Sequence, residues 1–125
     1  MQKLKFTTET VRKSWIIRVR GHVTKENARD LREQLMSAAA QPGPALMLDL
    51  AHVEEMDSAG VAVLIELHKH LNDHSRPLVL VGQSEAVSLI VGVLKAHHVI
   101  CDVYKSIDEG VRKTRALKPP AAAKS

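Results

Sequence analysis

The sequence predicts a single α/β domain: one mixed sheet of about four to five strands, crossed by right-handed parallel connections and covered by about four helices. Three observations predict it. Short apolar runs alternate along the chain with stretches whose apolar residues recur at helical spacing. The changes of period fall on turn chemistry, at Gly21, at Gln41-Pro42-Gly43-Pro44 and at Arg76-Pro77. The length, 125 residues, suits one core, which buries roughly two thirds of the surface the unfolded chain exposes.

Lys3-Leu4-Lys5-Phe6-Thr7 alternates polar and apolar, as a half-buried strand does. Ser14 to Arg20 reads as a second strand, with Trp15, Ile17 and Val19 on one side, Thr8 to Lys13 as the hairpin connection, and Gly21 as its end. Thr24 is a suitable N-cap for a helix over 25–40, in which Ala28, Leu31, Leu35 and Ala38 share a face. Asn27 stands where a full capping box would place Glu or Gln. After the proline-rich stop, Ala45 to Leu50 is a near-continuous apolar run, typical of a strand covered on both faces.

A second helix is expected over 59–72, with Gly60, Val63, Leu64, Leu67 and Leu71 inward and Glu66, Lys69 and Asp73 outward. Leu78 to Gly82 is another buried strand, and Ser84 caps a third helix built on Val87, Ile90, Val91 and Leu94. A short strand around 102–104 precedes a last helix, capped by Ser106, with Ile107, Val111 and Leu117 inward. The domain is expected to span 1–117, and 118–125 to form a disordered tail.

Composition removes several classes. Phe6, Trp15 and Tyr104 are the chain's aromatics, too few to stack single-stranded nucleic acid. The net charge of +4 is carried by the flanks, at +5 over 1–20 and +4 over 105–125, while 21–104 carries −5. A recognition element for nucleic acid would concentrate its basic residues instead, so no direct nucleic-acid partner is expected. No apolar run approaches the roughly 20 residues that span a bilayer, and the N-terminus lacks a signal-peptide core. One cysteine, Cys101, makes no intramolecular disulfide. The expected setting is cytoplasmic, without membrane insertion, as a monomer or weak dimer.

The informative segment is Met56-Asp57-Ser58-Ala59-Gly60, at a strand-to-helix turn, where α/β sheets gather function. Asp57 can cap the helix and place Ser58 at its first turn, hydroxyl to solvent. Ala59 and Gly60 are small enough to let another surface approach. A phosphate on Ser58 would add roughly −1.5 to −2 charges where the helix N-terminus tolerates an anion. With Glu54, Glu55 and Asp57 already close in sequence, it would mainly change what can dock. By pattern alone a plain capping turn is the commoner reason for an Asp-Ser pair at a helix start, and the switch reading does not rise above it.

Other constellations are weaker. Glu66, His70 and His74 recur at fours on one helix, yet nothing supplies the third and fourth ligands that zinc favours, and they read as solvated, like His97-His98. Ser58 lacks the first glycine of a nucleophile elbow, and His52 has no evident geometric relation to it. Gly82-Gln83-Ser84 is not a phosphate loop, and Cys101 reads as a small core residue. No enzymatic activity, metal or cofactor is expected.

Leu48-Asp49-Leu50, a six-residue gap, Asp57-Ser58-Ala59-Gly60-Val61 and then Val63-Leu64 resembles the STAS domain family (sulfate transporter and anti-sigma factor antagonist). The resemblance runs from residue 3 to about 115 and includes the closing 103–111 segment. It implies a STAS-like fold and, for the stand-alone antagonists, phosphorylation at the serine that aligns with Ser58. It further implies an anti-sigma factor that is a Ser/Thr kinase as partner, with a Ser/Thr phosphatase to reset the switch. ATP and metal would belong to those partners. Two departures stand out. Gly21-His22-Val23-Thr24 replaces the family's usual Gly-Glu-Leu-Asp, in a loop that touches the partner, and Ala59 replaces a second Ser/Thr. The implied contact set is His22, Thr24, Asp57, Ser58, Ala59 and Gly60. The alternative within the family is a non-phosphorylated STAS subunit of a lipid-transport ABC system or a stressosome-like scaffold, in which the turn docks permanently.

Overall fold

The computed structural model describes residues 4–11, 14–41, 43 and 45–116. The elements run β1 (Lys5–Val11), β2 (Ser14–Val23), α1 (Ala28–Ala39), β3 (Leu46–Met56), α2 (Ser58–Asp73), β4 (Leu78–Val81), α3 (Glu85–Ala96), β5 (Asp102–Tyr104) and α4 (Ile107–Ala116). The expected tail at 118–125 and the inward Leu117 lie outside the described residues. Spatial order follows chain order from β1 to β5, with β1 antiparallel to β2 and the remaining neighbours parallel.

That order dictates the layers. Crossovers of one hand, each stepping the same way, deliver their helices to one face of the sheet. On that face Ile17, Val19, Leu48, Leu50 and Leu80 pack in one cluster with Leu31 and Leu35 of α1, Leu64 and Leu67 of α2, and Ile90 and Leu94 of α3. α4 follows the last strand and folds onto the other face, where Val111 joins Ile16, Met47, Val79 and Val81. The central strands are therefore apolar on both faces, which is why Ala45 to Leu50 shows no alternation.

Three strands outrun their expected ends. β1 continues to Val11, in register with Ser14, so the chain stays paired where a hairpin connection was expected to begin at Thr8. β2 passes through Gly21 to Val23, and the register slips between Arg18 and Arg20 and again between Gly21 and His22. Gly21, at φ 120°, lies in this irregular stretch and does not terminate the strand. β3 extends to Met56. Its second half reads as polar because β4 stops at Val81, opposite Asp49, so the overhang pairs with β2 alone.

The end of β4 is set by Gly82, at φ 141°. A Cβ there would lie 2.8 Å from Val87 Cγ2 and 3.1 Å from the Ala51 backbone nitrogen. Only glycine lets the chain leave the sheet between the β3 overhang and the start of α3. At the opposite end Arg76 Nη1 donates to the carbonyls of Ala39 and Gln41, 2.8 Å from each, and so fastens the end of α1 to the α2–β4 connection. Among the described residues no helix is long and apolar enough to cross a membrane.

Two glycine substitutions should therefore have opposite signs. Gly82→Ala meets both a positive φ and close neighbours, and should lower stability by about 1–3 kcal/mol. Gly92, in α3, has open space where a Cβ would stand, with no neighbouring atom within 4 Å, and Gly92→Ala should raise stability by about 0.5–1 kcal/mol. Urea unfolding of both variants checks this, and a Gly82→Ala protein as stable as the parent would contradict the account of the turn.

Candidate functional site

β3 ends at Met56, and the next residue, Asp57, is the N-cap of α2. Its Oδ1 accepts from the Ala59 and Gly60 backbone N–H groups at 3.0 and 3.3 Å. Its Oδ2 accepts from the Lys25 N–H at 2.9 Å, and its own N–H donates to the Val23 carbonyl at 3.0 Å. One residue thus caps a helix and clamps the loop that follows β2. Ser58 is the first residue of α2 and is exposed, as the capping argument expects.

The clamped loop has its own lacing. The Thr24 carbonyl accepts from Asn27 and Ala28, and Thr24 Oγ1 accepts from the Glu26 N–H. The buried Asn27 side chain accepts from the Thr24 N–H at 2.8 Å and donates to the His22 carbonyl at 2.8 Å. Thr24 therefore opens a turn that leads into α1, whose N-cap position is Asn27; the expected helix start at Lys25 moves to Ala28. Asn27 fills the reciprocal half of the capping box one methylene shorter than Gln, and in doing so fixes the loop.

Of the six residues expected to form the site, the structure joins Thr24, Asp57, Ser58, Ala59 and Gly60 through this lacing. His22 turns its ring to the β3 overhang, with Nε2 3.1 Å from Glu54 and Nδ1 3.8 Å from Glu55. Carboxylates missing from the loop are thus supplied beside it by β3. Gly60 is buried, and a Cβ on it would lie 2.6 Å from both Met56 Cγ and Val23 Cγ1. Its small size serves close packing of α2 against its own chain, which corrects the expectation that it leaves room for another surface; Ala59 remains half-exposed.

A groove of about 280 Å³ lies beside the turn, floored by Met56, Val61 and Ile90 and edged by Glu54, Glu55 and Glu85. Leu89 and Val93 stand on its α3 side, 65% and 42% exposed. The sequence pattern assigns α3 one apolar face and leaves these two out of it. The available sign is that apolar residues recur almost all round α3, more than one buried face requires.

The competing constellations have other uses. Both oxygens of Glu66 accept from the Arg32 guanidinium at 2.6–3.1 Å, a fork that links α1 to α2 and holds the carboxyl below its usual range. His74 Nδ1 lies 2.9 Å from the His70 carbonyl. His52 stands in register with Arg20 on the sheet. Burial, with Asp102 beside it, pushes the Cys101 thiol up to about 11, so the thiolate is scarce at neutral pH.

Comparison with known proteins agrees with this architecture. A family model described as the Mlab STAS domain matches residues 6–101. An anti-sigma factor antagonist from Mycobacterium paratuberculosis is 20% identical, with a TM-score of 0.79 over 90% of this chain and 94% of that one. The anti-sigma factor antagonist SpoIIAA in its unphosphorylated form is 18% identical, with a TM-score of 0.69 over 90% and 100% of the two chains. The murine Solute Carrier 26 family member A9 anion transporter is 18% identical, with a TM-score of 0.71 over 86% of this chain and 18% of the transporter. These structures share the fold at low identity, and the family model spans most of the domain: the chain belongs to the STAS family.

Proposed function

We propose that this chain is an anti-sigma factor antagonist switched by phosphorylation of Ser58. The observation that carries the reading is the exposed Ser58 on a turn that Asp57 holds from both sides. In the unmodified form the Ser58 turn, the His22–Lys25 segment at the end of β2 and the groove along Leu89 and Val93 dock on an anti-sigma factor that is a Ser/Thr kinase. The kinase transfers the terminal phosphoryl group of ATP to Ser58 Oγ, the hydroxyl proton leaves, and ADP is released. The chain itself catalyses nothing; ATP and its metal belong to the kinase.

The electrostatics support release without unfolding. The phosphate brings roughly −1.5 to −2 charges to a helix N-terminus, where the macrodipole favours an anion. Glu54 and Glu55, with side chains 67% and 78% exposed, already make the rim acidic. The modification therefore adds charge to a surface whose complement in a partner is basic or neutral, and like-charge juxtaposition or a filled hydroxyl pocket opposes docking. A Ser/Thr phosphatase restores the hydroxyl by hydrolysis. The solved antagonists that share the fold support the same reading.

A second reading within the same family is a STAS subunit docked permanently on a neighbour such as a lipid-transport ATPase; the matching family model is described as a STAS domain and names no antagonist. The two differ in phosphate turnover. With the cognate kinase and ATP, the antagonist gains one phosphate, Ser58→Ala gains none, and Ser58→Asp binds the kinase at least about tenfold more weakly. Intact-mass spectrometry and calorimetric titration check this. Equal phosphorylation of Ser58→Ala, or unchanged kinase binding by Ser58→Asp, would overturn the proposal.

A further inference from the structure

Among the described residues α4 covers only part of its face of the sheet, and the rest of that face holds two cross-strand rows of polar side chains. Thr7, Arg18 and Asp49 form the inner row, and Lys5, Arg20 and His52 the outer one, each read across β1, β2 and β3. The inner row is balanced: Arg18 pairs with Glu9, and its Nε lies 3.4 Å from the Asp49 carboxylate. The outer row is not. Among the described residues Lys5 and Arg20 have no ion pair, and they stand directly opposite one another in an antiparallel pair, a like-charge contact that disfavours the sheet. His52 extends the row on the far side of Arg20, and all three side chains are exposed.

A hollow of about 210 Å³ lies along this row, with Thr7 and Arg18 also on its wall. It adjoins a wider depression over Arg20 and His52 whose far side is acidic, at Glu54 and Glu85. Negative charge is thus accommodated at the Lys5 end. We infer that Lys5, Arg20 and His52 bind a phosphate-type oxyanion on this face, opposite the face that α2 covers. The guanidinium offers two parallel N–H donors to a tetrahedral oxyanion, the ammonium a point charge, and the imidazole and Thr7 hydroxyl further donors. A bound anion offsets the repulsion between Lys5 and Arg20. Lys5 and Arg20, two of the six basic residues of 1–20, thus meet at one place although fifteen positions separate them in the sequence.

The oxyanion can come from a free phosphate compound or from an anionic lipid headgroup, and one experiment separates them. The ¹⁵N-labelled chain is titrated with pyrophosphate at constant ionic strength, with sodium chloride as the control, and is sedimented with phosphatidylglycerol and with phosphatidylcholine vesicles. The expected result is saturable shifts confined to Lys5, Thr7, Arg20, His52 and their sheet neighbours. Arg20→Gln should weaken binding roughly tenfold, while Arg112→Gln, on α4, leaves it unchanged. Pyrophosphate binding without sedimentation identifies a free oxyanion; Arg20-dependent sedimentation with phosphatidylglycerol alone identifies a headgroup. Circular dichroism verifies that Arg20→Gln is folded, and Lys5→Gln carries the same test if it is not. Shifts spread over all basic residues, or binding to neither probe that responds to these substitutions, would overturn the inference.

Discussion

The carboxylate of Asp57 is the constraint on which the architecture of the candidate site depends. One oxygen closes the first turn of α2, and the other reaches across 32 positions of chain to the Lys25 N–H. An N-cap of this kind contributes about 0.5–2 kcal/mol to its helix. Here the same group also determines where the β2–α1 loop sits. Ser58 follows immediately, so its hydroxyl is presented at a defined place relative to Thr24 and Lys25. A docking surface assembled in advance loses less conformational freedom when a partner binds.

The sheet topology explains why the candidate site lies at one end. Three successive crossovers leave α1, α2 and α3 side by side, and the β2–α1, β3–α2 and β4–α3 connections all leave the C-terminal end of the parallel strands. β3 projects beyond β4 there because Gly82 turns the chain away. The overhang brings Glu54 and Glu55 to His22 and forms one wall of the groove that Leu89 and Val93 line from α3. Charge, an apolar groove and an exposed hydroxyl thus meet at one end of the sheet, an arrangement that suits contact with a protein surface.

Much of this was legible in the residues. Apolar periodicity located every helix and the buried strands, and the Asp57 and Ser84 caps fall where side-chain chemistry places them. What escaped was non-local. The reach of β3 to Met56 depends on pairing with β2 alone, and an exposed, acidic half-strand looks like a loop in sequence. Thr24 and Asn27 both have capping chemistry, and only the fold shows that Thr24 begins the turn while Asn27 ties it to His22. Gly60 looked like an opening because small residues admit neighbours; the neighbours proved to be Met56 and Val23 of the same chain. The Lys5, Arg20 and His52 row exists only through strand register.

Amide hydrogen exchange on the parent chain and on Asp57→Ala tests the bridging role of this carboxylate most directly. The account predicts that the Lys25, Ala59 and Gly60 amides lose protection together in the variant, while core amides such as those of Leu48 and Leu80 keep theirs. A Lys25 amide as protected in Asp57→Ala as in the parent would show that the loop is held by something other than Asp57, and would contradict the account.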